Sequence, residues 1–242
     1  MKPITKALAA AILGAVLVGP ASAAKPVGTV TGANPMDPSV WEIGPVTPSR
    51  NYSVNMPPSP SAHPDGWYFD FPQPDKEAGH VHYVTFKHGP LTGKSRIVLR
   101  YRIEAEPGVQ IYPTNYPGWV SILTIYFQRR GDDWSGKGKY EAYRWWASFR
   151  SHMPLTPGEH ELSVGLDENW TAIQTSSATN NPKAFRDAIR DAERVGFTFG
   201  GGDGRGHGVY ATGPARFVVT GFEVQSQTTQ SAFDFRQAPA GE

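Results

Sequence analysis

The side chains with the most chemical reach sit at alternate positions on three segments. Between Ser95 and Glu104 they are Arg96, Arg100 and Arg102. Between Trp119 and Arg129 they are Thr124, Tyr126 and Gln128, and between Tyr140 and Phe149 they are Tyr140, Arg144, Trp146 and Ser148. Spacing of two places each set on one face of a strand. Side by side, Arg100, Arg102, Tyr126, Gln128, Arg144 and Trp146 would make a floor of guanidinium groups, an amide and rings. The small residues Ser163, Gly196 and Thr198 would lie next to it. Rings can stack on the apolar face of a sugar, while Arg or Gln bonds its hydroxyls or carboxylates. These six are the candidate ligand-binding set. The competing reading is a solvated sheet wall, with arginine stems lying over aromatic rings.

Other constellations carry less. Asp132, Asp133 and Trp134 share one turn, and Asp167, Glu168 and Trp170 another. Clustered loop carboxylates can hold Ca²⁺ through oxygen, or act as acid and base on a glycosidic bond. Asp is also an ordinary turn former, and neither turn has EF-hand spacing. No cofactor is therefore assigned, and Ca²⁺ is the one ion left open. Gly200-Gly-Gly-Asp-Gly-Arg-Gly-His-Gly208 resembles a phosphate loop only superficially: no Gly-Lys-Ser/Thr follows, nor any helix. It reads as a hairpin connection needing positive φ, with Asp203, Arg205 and His207 as its possible ligand contacts. His80 and His82 have metal-ligand spacing on a strand, but no downstream Glu completes a set before Gly89. No Gly-x-Ser-x-Gly elbow or His-Glu-x-x-His occurs, and no catalytic residue or metal ligand is assigned. Cysteine is absent, which removes thiol catalysis, thiolate metal sites and disulfides.

The elements that must position these groups are strands. Aromatics make up 12% of the residues and charged residues 19%, with 26 Gly and 22 Pro, a mix suited to short strands and tight turns. Trp67, Phe69 and Phe71 share one face. So do Ile97, Leu99, Tyr101 and Ile103; Leu123, Ile125 and Phe127; Tyr143, Trp145, Ala147 and Phe149; and Leu162, Val164 and Leu166. Alternation of this kind marks half-buried antiparallel strands. If successive strands run up and down, Tyr112, Tyr116, Trp119, the 150–158 loop and Gly200–Gly206 gather at one end. The acidic turns gather at the other.

One helix interrupts. Asn181 is a good N-cap, Pro182 suits the first helical position, and Phe185, Ala188, Ile189 and Ala192 recur at helical spacing. It should lie over an end or edge of the core as a lid. Phe217 and Val219, then Phe222 and Val224, change parity across Gly221, which predicts a bulge. The expected architecture is all-β: an antiparallel two-sheet jelly-roll sandwich with one short helix near residues 182–193. The order of helix, Val195-Gly-Phe-Thr-Phe-Gly200, glycine loop, short strand and Ala215-Arg-Phe-Val-Val-Thr-Gly-Phe-Glu-Val224 resembles the end of galactose-binding-like jelly rolls. Many carbohydrate-binding modules share that fold. The resemblance covers Ser95 to Val224 and implies sugar binding.

Domain organisation follows composition. Residues 1–23 read as a signal peptide, with Lys2 and Lys6, an apolar stretch from Leu8 to Val18, and Ala21-Ser22-Ala23 before the cleavage point. The apolar run is too short to span a bilayer, so no stable membrane insertion is expected after cleavage. Residues 24–62 form a proline-rich extended segment, with Val40, Trp41 and Ile43 the residues able to dock; an edge strand around Trp41 is the alternative to a linker. Residues 63–225 form the sandwich, and 226–242 a polar tail. Loss of the two leader lysines takes the formal charge of +1 to about −1, which argues against nucleic-acid binding. The resulting expectation is a secreted or periplasmic, non-catalytic β-sandwich protein that binds carbohydrate or a cell-envelope glycan. The alternatives are a jelly-roll polysaccharide lyase or hydrolase, built from Arg100, Arg144, Tyr126 and His82, and a protein-interaction domain of the envelope.

Overall fold

A computed structural model of the chain describes residues 33–174 and 176–226. The leader reading and nearly all of the polar-tail reading lie outside these residues. The described chain contains β1 (Trp41–Gly44), β2 (Ser61–His63), β3 (Gly66–Asp70), β4 (Tyr83–Lys87), β5 (Ser95–Ala105), β6 (Ile111–Pro113) and β7 (Ser121–Arg129). These are followed by β8 (Arg144–Trp146), β9 (Met153–Pro154), β10 (Gly158–Gly165), β11 (Thr171–Ala172), α1 (Pro182–Arg190), β12 (Ala192–Gly201), β13 (Val209–Ala211) and β14 (Ala215–Ser226). One sheet runs β1-β4-β12-β7-β8-β11, with β9 also on β7; the other runs β10-β5-β14-β3-β2. β6 and β13 form a separate ribbon, and every pairing is antiparallel.

The eight main strands, in chain order β3, β4, β5, β7, β8, β10, β12 and β14, divide between the sheets as β3-β14-β5-β10 and β4-β12-β7-β8. This is the double Greek-key order of a jelly roll. β5 and β7 follow each other closely in sequence but belong to different sheets. Their outward residues therefore face opposite sides of the molecule.

The sheets meet over the alternating apolar residues. Phe197 and Phe199 of β12 pack on Trp67, Phe69 and Phe217 from the facing sheet, with ring centroids 6.3 Å (Trp67–Phe197) and 5.4 Å (Phe197–Phe217) apart. Separations of this size are typical of favourable aromatic pairs. Trp41 is buried against Trp67 and Phe86, so β1 is the edge strand that a linker reading of this stretch would omit. The indoles of Trp41 and Trp67 both donate to the Pro35 carbonyl, at 2.8 and 3.0 Å, which ties the proline-rich segment to the core.

α1 begins where its cap predicts: Asn181 accepts from the Ala184 amide, and Phe185, Ala188 and Ile189 are buried. Phe185 lies 4.9 Å from Trp145 and 5.9 Å from Phe127, capping one edge of the core. The predicted bulge falls between Val219 and Gly221, where β14 changes register against β5. One inward assignment is corrected. Phe149 is 75% exposed, because β8 ends at Trp146 and a short 3₁₀ turn carries Phe149–Ser151 away from the sheet. Among the described residues no helix is long and apolar enough to cross a membrane.

Candidate ligand-binding site

The six residues picked out from alternation divide between the two outer walls. Arg100 and Arg102 project from β5, on the outside of the five-stranded sheet. Arg100 meets Glu161 and Glu223, each at 2.7 Å. Arg102 meets Glu104 at 2.8 Å, and Glu159 and Asp65 at 3.2 Å each. Surrounded by carboxylates on an exposed wall, they form a charge lattice apart from the other four. The lyase-type set is likewise not assembled, since Arg100 lies across the sandwich from Arg144 and Tyr126.

Tyr126, Gln128, Arg144 and Trp146 do come together, on the outer face of the seven-stranded sheet. Register sets the floor: Tyr126 pairs with Trp146 on one side and Gly196 on the other, and Thr198 pairs with Thr124 and with Tyr83. Tyr126 lies 5.0 Å from Tyr83 and 5.3 Å from Trp146. This face is not open. The turn after β7 folds back over it, with Trp134 at φ 65°, 5.5 Å from Tyr83 and 4.9 Å from the Arg144 guanidinium. Asp132 holds that turn. Its side chain is 0% exposed, lies 2.9 Å from Arg144 Nε, and accepts from Gln128 Nε2 and the Trp134 amide at 3.0 Å. Burial pushes the Asp132 carboxyl above its ordinary value, against the pull of Arg144. Asp132 and Trp134, read from sequence as part of an acidic loop end, thus serve as a brace. Trp170 from the other acidic turn is buried in the core beside Phe127 and Phe185.

The second cover is the glycine loop. Arg205 lies 5.3 Å over the Trp146 ring and donates to the Thr171 hydroxyl. Gly206 (φ +80°) packs on the Tyr83 ring, where any side chain would collide. Gly208 packs on His82, whose Nδ1 bonds the Gly206 carbonyl at 2.8 Å. That carbonyl can only accept, so Nδ1 carries the proton. Burial lowers the His82 pKa to about 4 and also lowers that of His80, whose ring is 4.6 Å away. Among the described residues no group of three potential ligands is placed to hold a metal.

On its opposite side the same loop walls an open cleft of about 280 Å³, lined by Tyr116, Trp119, Asp203, Gly204 and His207. Tyr116 and Trp119 are 56% and 55% exposed, and their rings are 5.5 Å apart at a tilt of 38°. Large apolar groups set together in solvent mark contact surfaces more often than isolated ones do. Their position is fixed. The Trp119 ring covers Gly202 (φ +54°) so closely that a Cβ there would overlap it, and Trp119 N–H donates to the Tyr116 carbonyl at 2.9 Å. His207 Nδ1 accepts from Asn115 Nδ2 at 2.9 Å, which leaves the Nε2 proton for the cleft.

The gathering of Tyr116, Trp119 and the glycine loop at one end follows from strand parity. The Gly200–Gly208 loop does more than connect a hairpin. Its glycines supply turn conformations, and they also let Trp119, Tyr83 and His82 lie against bare backbone, a role that spacing along one chain does not display.

No protein-family model matches this chain, and no curated protein sequence does. Among solved structures the fold is similar to that of Xylanase10C from Cellvibrio japonicus in complex with xylopentaose, with TM-score 0.40 and 16% identity. That match covers 81% of this chain and 28% of the xylanase chain, so this chain spans under a third of that protein. The fold is also similar to a xylan-binding module, CBM15, with TM-score 0.39, 14% identity, and 79% and 97% of the two chains covered.

Proposed function

We propose that this protein is a non-catalytic glycan-binding sandwich whose contact surface is the cleft at Tyr116 and Trp119. The observation that carries the reading is this exposed, tilted ring pair beside Asp203 and His207. The rings offer apolar faces for sugar C–H groups, and the two polar side chains offer an acceptor and a donor for hydroxyls. An apolar floor with a few convergent polar groups is the usual composition of a small-ligand site. The glycine contacts hold the floor in place before binding, so little ordering free energy is lost on association. The leader-like segment from Lys2 to Ala23 supports action outside the cytoplasm, on extracellular or envelope polysaccharide.

Affinity electrophoresis and titration calorimetry against a panel of soluble polysaccharides test the reading. Retardation by at least one glycan is expected. Trp119→Ala should weaken it by about 1–2 kcal/mol, roughly five- to thirty-fold, as loss of a stacked ring does. Absence of retardation on every glycan, or a Trp119→Ala and Tyr116→Ala pair that bind like wild type, would refute it.

A further inference from the structure

Beneath the glycine loop the sheet face holds a row of polar atoms with no protein partner. Thr124 Oγ1, Tyr126 OH, Trp146 Nε1 and Thr198 Oγ1 are all buried, and none makes a hydrogen bond to the described protein. Strand register makes them neighbours, because Thr198 faces Thr124 and Tyr126 faces Trp146. Directly paired residues bring their side chains within about 5 Å of each other. His152 sits just before β9, whose Met153 pairs with Leu123, and so borders the same row. Its buried Nε2 has no hydrogen-bond partner in the described protein. Native proteins pair nearly all buried polar side chains, so a contiguous unpaired set points to a partner from outside the chain.

The charge on this row indicates what that partner carries. Arg144 is neutralised by Asp132. Arg205, half-buried above Trp146, donates to the Thr171 hydroxyl and lies over the indole face. Among the described residues no carboxylate forms an ion pair with it, and Asp203 of its own loop acts on it only at longer range. A partly desolvated cation without an ion pair favours an anion at its free edge. An indole N–H and three hydroxyls add donors, and His152 Nε2 adds one more unpaired polar atom. A ligand with one carboxylate and neighbouring hydroxyls complements this set.

Resting on the glycan reading above, we propose that Arg205, Trp146, His152 and the Thr198–Thr124–Tyr126 row form a second subsite, across the glycine loop from the Tyr116–Trp119 cleft, that takes the carboxylate of an acidic sugar residue. The loop is the divider between the two. It reaches the sheet through Arg205 and the Gly206 carbonyl, so a ligand reaches the row where this half of the loop moves off the sheet, while Gly202 at its other end holds the Trp119 ring.

Two measurements test this. The first compares binding of oligogalacturonate with its carboxyl-reduced, neutral counterpart. The expected result is at least a ten-fold preference for the acid, abolished in Arg205→Gln while neutral binding is unchanged, in keeping with one charge-assisted hydrogen bond. Equal affinity for the two oligomers, or a preference retained in Arg205→Gln, overturns the proposal. The second follows the Trp146 indole N–H resonance, assigned with Trp146→Phe, on addition of galacturonate monomer, acetate or phosphate. A shift with galacturonate well below the concentration needed for acetate or phosphate supports a sugar-acid subsite. Equal shifts with all three, or none with galacturonate, overturn it. If the indole shifts with galacturonate but no oligomer binds, and Trp119→Ala behaves as wild type, only the rim-cleft reading fails.

Discussion

Replacing Tyr126 by phenylalanine removes one oxygen from the middle of the covered sheet face and changes nothing else about the ring. The ring is fully buried between Tyr83 and Trp146, so its packing contribution is retained. The hydroxyl has no hydrogen-bond partner in the protein. A buried hydroxyl without a partner costs about 1–3 kcal/mol, whereas a satisfied one contributes about 1 kcal/mol. The geometry therefore predicts that Tyr126→Phe stabilises the free protein by about 1 kcal/mol, raising Tm by roughly 2–4 °C for a domain of this size. Thr198→Val and Thr124→Val should act in the same direction. Their effects will not add, because the two side chains face each other across β12 and β7. Urea unfolding at pH 7 is the assay, with an unchanged m-value showing that the variants alter stability and not the extent of unfolding. The same Tyr126→Phe should weaken acidic-oligosaccharide binding, so stability and affinity move in opposite directions. A loss of 1 kcal/mol or more in the free protein would refute the reasoning, since it would mean that the hydroxyl is already satisfied.

Further outcomes follow from the same geometry. His82 has a folded pKa near 4 against an ordinary 6.5, so the unfolded chain binds the extra proton between those values. The sign is fixed by that difference: stability is fully present above about pH 6.5 and falls as pH drops towards 4, by an amount on the order of 3 kcal/mol from this group. Urea midpoints at pH 7, 5.5 and 4.5 should show the fall, and His82→Gln should reduce it without abolishing it, because burial lowers the His152 pKa to about 4 as well. Gly202→Ala pushes a methyl group into the Trp119 ring at a left-handed φ, so titration calorimetry should show weakened glycan binding, with a stability loss of about 1 kcal/mol. Arg100→Ala and Arg102→Ala remove exposed pairs on the opposite wall. Each should cost under about 1 kcal/mol and leave binding unchanged; a ten-fold affinity loss in either would return those arginines to the site.

The alternation of Ile97, Leu99, Tyr101 and Ile103, and of Leu123, Ile125 and Phe127, marks both strands and their buried faces correctly, because that pattern is local. Strand parity also places Tyr116, Trp119 and the glycine loop at one end, since counting reversals needs no knowledge of which sheet a strand joins. Sheet membership does need it. A jelly roll sends β5 and β7 to different sheets, so Arg100 and Tyr126 have matching phase along the chain and opposite directions in space. The second failure has another origin. Alternation marks a residue as outward and not as solvent-facing: Trp134 returns over Tyr83 and Arg205 over Trp146, and Tyr126, Thr124 and Thr198 are buried. A polar face that is outward yet buried combines the demands of a core with hydrogen-bonding groups that a core would exclude. Closely packed interiors leave such groups unpaired only at a free-energy cost, and a ligand is the proposed partner of this row. In the proposed reading the glycine loop separates two halves of one surface: an open aromatic rim at Tyr116 and Trp119 for the chain of sugars, and a covered polar row for its charge.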